Sequence, residues 1–113
     1  MINLPKNDRL VSISKFAIDD CNISVNALFL YIRLCFFAEK IPEFDIDFYV
    51  EEYNEKLQNV KKSIDELAKR GYIMQISDDT AMLYDEPNPE AIEAYKNHDR
   101  LNISKIKHLT REK

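Results

Sequence analysis

Few side chains in this sequence are of types that could do chemistry. The ones whose types and spacing could suggest a site are two cysteines, two histidines and the clustered carboxylates of Asp45, Asp47, Glu51 and Glu52. Cys21 and Cys35 lack the CxxC spacing of a metal or redox pair, and Cys35 lies in an apolar run. Both read as reduced core thiols of a cytoplasmic protein. His98 and His108 fall in the polar C-terminal stretch without metal-ligand spacing. The four carboxylates would need a loop of defined geometry to hold a cation; none is visible, so they read as surface. With Gly71 as the only glycine, a Gly-rich phosphate loop is excluded, and no nucleophile elbow is present. No catalytic residue, cofactor or metal is expected, and the chain does not read as an enzyme.

The elements that would position a binding surface are clearer. The chain has 113 residues, 32% of them charged and 45% hydrophobic, which suits one globular domain with a modest core. Residues 10–14 fit a short strand or an irregular segment on the core. Ser24 is a good N-cap, and residues 25–40 are apolar almost all round. The strongly polar residues there are Asn26, Arg33, Glu39 and Lys40, and Asn26, Arg33 and Lys40 recur every seven residues as one narrow wet stripe. Such a helix is the central helix of the domain or covers a second interface, such as a homodimer contact. Pro42 stops it. Phe44, Ile46, Phe48 and Val50 alternate as in a strand, but Phe48, Tyr49, Glu52 and Tyr53 fit a short helix capped by Asp45 or Asp47, and the acidic residues of its first turn favour the helix. Residues 55–70 form the clearest helix, with Leu57, Val60, Ile64, Leu67 and Ala68 on one side.

Gly71 then falls where a helix end requires a left-handed residue. Residues 72–76 and 81–84 read as a hairpin around Ser77, Asp78, Asp79 and Thr80. Asn88 caps a further helix with Pro89 at its first position. The last stretch, RLNISKIKHLTREK, reads as a helix from Ser104 or as a frayed basic tail. The fold class is mainly α with a small β-hairpin, an α+β chain. Residues 1–95 form the domain and 96–113 a basic C-terminal helix or tail.

Charge is partitioned along the chain. Residues 39–54 carry −5 and residues 78–95 carry −6; residues 55–77 carry +2 and residues 96–113 carry +4. Any nucleic-acid contact must use the two basic blocks and keep the acidic ones from phosphate. The N-terminus shows no apolar signal segment, and the longest apolar run, residues 27–38, is interrupted by Arg33 and too short to cross a bilayer. The chain is expected to be soluble and cytoplasmic, with no membrane partner.

Three helices followed by a hairpin resemble the winged helix-turn-helix arrangement: a three-helix core, then the wing. The stretch NVKKSIDELAKRGYI, residues 59–73, resembles the third helix of bacterial winged-helix domains leading into the wing. The stretch KFAIDDCNISVNALFLYIRLCFFAE, residues 15–39, is similar to the opening of winged-helix domains in phage and plasmid replication-initiation proteins of low-GC Gram-positive bacteria. The resemblance spans roughly residues 10–86. It implies duplex-DNA binding in replication initiation or transcriptional control, with helix 55–70 in the major groove. Gln58, Asn59 and Lys62 would meet bases or phosphates, and Lys56, Lys61, Lys69 and Arg70 would lie nearer phosphates. The sequence departs from that pattern at its wing, where Asp78 and Asp79 replace the usual basic tip, and at the acidic Asp45, Asp47, Glu51 and Glu52 of the second helix. The alternative is a protein-interaction module on the same fold, using these six carboxylates against a basic protein partner.

Overall fold

The computed structural model describes residues 13–97 and 101–112. Ser14 accepts a hydrogen bond from the Phe16 amide and opens a short helix, α1 (Lys15–Asp19). Most of the strand expected at residues 10–14 lies outside the described residues. At its end, Ser14 is a helix cap instead, as hydroxyl side chains often are.

Ser24 caps α2 (Val25–Lys40) through the Ala27 amide, and Asp45 caps α3 (Ile46–Glu52) through the Asp47 amide. Tyr53 and a left-handed Asn54 (φ 53°) form the bend into α4 (Leu57–Lys69). Asn tolerates this conformation better than most residues. The central-helix reading of α2 accounts for its inner side: Leu30, Tyr31, Leu34, Cys35 and Phe37 are buried. On its outer side Val25 and Phe29 are more than half exposed.

Gly71 ends α4 with φ +84°. Its amide donates to Ala68 O at 3.1 Å, and the Tyr72 amide donates to Leu67 O at 2.9 Å. These paired bonds, with Tyr72 packed in the same core as Leu67, are the Schellman ending of a helix. A second constraint acts on the same residue. A Cβ there would lie 2.8 Å from Asn88 N and from Ile92 Cγ1, and 2.9 Å from Asn88 O. Glycine is needed both for its backbone angle and for the close approach of the next helix's N-terminus.

The hairpin follows as expected. β1 (Ile73–Gln75) pairs antiparallel with β2 (Thr80–Tyr84), Ile73 opposite Leu83. Asn88 caps α5 (Pro89–Lys96) through the Ala91 amide.

The last segment differs from expectation. Residues Ile103–Lys105 form one 3-10 turn, and β3 (His108–Glu112) joins the sheet, so the order is β1-β2-β3. β3 runs parallel to β2, from Thr80 opposite His108 to Tyr84 opposite Glu112. On its other side, Leu109 N donates to Pro42 O at 2.8 Å, and Phe44 N donates to Lys107 O at 2.7 Å. A helix or frayed tail would leave the open side of β2 unpaired. The strand satisfies those backbone groups and buries Ile103, Ile106 and Leu109 to 2% exposure. Each such burial contributes about 1.5–3 kcal/mol. Residues 101–112 thus share one core with the helices. The fold is α+β, and no helix among the described residues is long and apolar enough to cross a membrane.

Candidate nucleic-acid interface

α4 buries Val60, Ser63, Ile64, Leu67 and Ala68 against the core. At 100° per residue, Gln58, Lys62 and Lys69 fall within about 40° of one another, opposite that buried side. All three are exposed. They form the outermost line of the helix, an amide followed by two ammonium groups.

The carboxylates of this region are turned aside. Asp65 Oδ2 accepts a hydrogen bond from the Tyr95 hydroxyl at 2.9 Å, which ties α4 to α5. Glu66 Oε2 accepts from the amide and the hydroxyl of Ser24, at 3.0 and 2.8 Å, which ties α4 to the start of α2. Glu55 Oε1 lies 3.3 Å from Arg33 Nη1, whose guanidinium stacks 4.3 Å from the Tyr53 ring centroid. Glu55, Asp65 and Glu66 are therefore each held by a neighbour. Lys56, Lys61, Lys62 and Lys69 are exposed and form no ion pair among the described residues.

The other expected contact residues sit less centrally. Lys56 is the N-cap residue and makes no side-chain cap bond. Asn59 is exposed on one flank of the line. Lys61, on the other flank, borders a shallow cleft of about 390 Å3 with Ile64, Leu101, Asn102 and Ile103. Arg70 caps the C-terminus, with Nε 3.4 Å from Asp20 Oδ2. Burial alone would raise the Asp20 pKa. Hydrogen bonds from the Asn22 amide and Tyr72 hydroxyl, together with the Arg70 cation, outweigh it and hold the carboxyl below its ordinary value. Arg70 thus serves the fold as well as the surface.

The acidic residues divide into two groups. Asp45, Asp47, Glu51 and Glu52 are exposed on and before α3. Asp78 and Asp79 occupy the hairpin turn, where the Asp79 carbonyl accepts from the Lys107 and His108 amides at 2.8 and 3.0 Å. The Asp79 carboxylate lies 3.9 Å from His108 Nε2. The turn that looked purely acidic is therefore backed by Lys107 and His108, a juxtaposition that depends on the unexpected β3.

Of the two cysteines expected in the core, Cys35 is buried, and burial first of all pushes its thiol up to about 11; Cys21, which follows the short α1 rather than the apolar run, is instead exposed. His98 lies outside the described residues. Among the described residues, no group of three or more His, Cys, Asp or Glu side chains is placed to hold a metal ion. No protein-family model, curated protein or solved structure matches the chain.

Proposed function

We propose that the chain is a DNA-binding domain of winged-helix type, with α4 as the groove-facing helix and the β1–β2 hairpin as the wing. Its role would lie in replication initiation or transcriptional control, as in the phage and plasmid initiators it resembles. One observation carries the reading: α4 presents Gln58, Lys62 and Lys69 outward while Asp65 and Glu66 are drawn into hydrogen bonds with Tyr95 and Ser24. A surface of this kind offers cations to phosphate and an amide to a base edge, with the nearby negative charge engaged. The wing turn carrying Asp79 is tied by backbone hydrogen bonds to Lys107 and His108 at the start of β3.

The test is fluorescence anisotropy of a labelled random-sequence duplex across a salt series. Binding that falls steeply with salt is expected. Lys62→Glu and Lys69→Glu should each weaken it about tenfold, and each neutralised contact should lower the salt slope by about one unit. Arg70 is left intact because it pairs with Asp20. Absence of binding at low salt, or full binding by the Lys62→Glu/Lys69→Glu protein, would overturn the proposal.

A further inference from the structure

The α3 side of the molecule carries a second surface that the DNA reading does not use. The end of α2, the link to α3 and the segment leading into β3 enclose an open cleft of about 660 Å3. Phe37, Phe44, Ile46 and Ile106 are buried at its floor. Ile41 and Phe48 stand at its rim, 50% and 54% exposed. Large apolar side chains kept half in water around an apolar floor are poor choices for a free surface and good ones for a contact.

The walls carry charge. Glu43, Asp45 and Asp47 are exposed along one side. Lys107 and His108 lie on the other, and His108 already faces Asp79. Carboxylates therefore outweigh the lysine around the cleft. Phosphate would be repelled there, and so would an acidic peptide. No lining residue comes from α4.

We propose that this cleft docks a basic amphipathic segment of a partner protein. Its apolar anchors would pack on Phe44, Ile106 and Phe48, and its Lys or Arg side chains would meet Glu43, Asp45 and Asp47. The inference stands apart from the DNA reading, since either surface could be removed without the other.

A random short-peptide library displayed on phage, selected against the whole protein, tests it. Enriched peptides are synthesised with a fluorescent label and titrated by anisotropy. They should carry net positive charge around large apolar residues. Affinity should fall about tenfold or more for Phe48→Ala, and again for Glu43→Lys with Asp47→Lys. Asp45 is spared because its carboxylate caps α3. Unchanged circular dichroism and thermal midpoint would show that the variants remain folded. Enrichment of acidic or neutral peptides, or equal binding by the variants, would overturn the proposal. So would self-association of the free protein that disappears with Phe48→Ala, which would assign the cleft to a second copy.

Discussion

β1 and β3 lie on the two sides of β2, and each is anchored by an arginine, yet the anchors differ in kind. On the hairpin side, Arg70 reaches Asp20 at 3.4 Å with its side chain 40% exposed. On the β3 side, Arg111 is 3% exposed, 2.8 Å from Asp85 and 3.3 Å from Glu39. The hairpin closes over a turn of a few residues and needs little help to form. β3 reaches β2 only after the crossover through α5, and closing that long loop costs entropy that local contacts do not return. Burial of Ile103, Ile106 and Leu109 offsets that cost, and Arg111 is held between Asp85 and Glu39. The Arg70 guanidinium keeps access to water, whereas the Arg111 guanidinium is buried between two carboxylates, so removing it strands them, which is the costly way to break a buried pair.

Removing the deeper anchor should have the largest effect. Arg111→Ala leaves Glu39 and Asp85 facing a lost cation, and a loss of about 3 kcal/mol or more is expected in urea unfolding. Cys35 reports the same event. It lies one helical turn before Glu39 on α2 and is buried. Its thiol should become reactive toward a maleimide in the variant, while exposed Cys21 labels at an unchanged rate. A variant of wild-type stability with Cys35 still protected would remove the contrast between the two sides.

On the hairpin side, the largest sensitivity should lie in Gly71 rather than in the arginine. Gly71→Ala combines a left-handed backbone with contacts of 2.8 Å to Asn88 N and Ile92 Cγ1. A cost of about 2 kcal/mol or more is expected, read as a lowered thermal midpoint. The backbone at Asn88 cannot move without disturbing the α5 cap and the Asn88 N to Gly71 O bond at 2.9 Å.

The same division explains what the sequence made legible. Ser24, Asp45, Asn88 and Gly71 act on groups within a few residues, so their types announced the helix ends. The outward line of α4 followed from its period. β3 left little such trace: HLTRE is short, and Arg111 counted toward a basic tail although its side chain is buried. Leu101, Ile103, Ile106 and Leu109 are spaced as in a helix, but pairing with β2 decides the matter. The site was partly hidden for the same reason. Asp65 and Glu66 look like a solvated face until Tyr95 and Ser24, 30 and 42 residues away, are seen to hold them.

A smaller effect should come from Tyr31, which links α2 to the end of β2 at its junction with the crossover. Its hydroxyl donates to Tyr84 O at 2.6 Å in a buried setting. Tyr31→Phe should cost about 1–2 kcal/mol, because the carbonyl loses its side-chain partner without gaining water. Amide exchange should show the loss around Tyr84 and β3 more than in β1.

The smallest expected effect belongs to Asp20, and it separates the two arginines by pH. The Asp20 carboxylate accepts from the Tyr72 hydroxyl at 2.9 Å and the Asn22 amide at 2.9 Å, beside Arg70. Although burial opposes ionisation, these bonds and the Arg70 charge hold its folded pKa below the ordinary 3.8. The folded protein therefore binds this proton less readily than the unfolded chain. Its contribution is fully present above about pH 4 and is lost as pH falls through the lowered folded value. Asp20→Asn should cost about 1 kcal/mol near neutrality. It should also flatten the acid limb of a stability profile measured by urea unfolding from pH 6 downward. The Asn22 and Tyr72 bonds can persist to an amide oxygen, so the difference isolates the charge on the hairpin side. An acid limb unchanged by Asp20→Asn would mean that the Arg70–Asp20 pair carries no energetic weight despite the burial of Asp20, leaving Arg111 as the arginine that anchors the sheet.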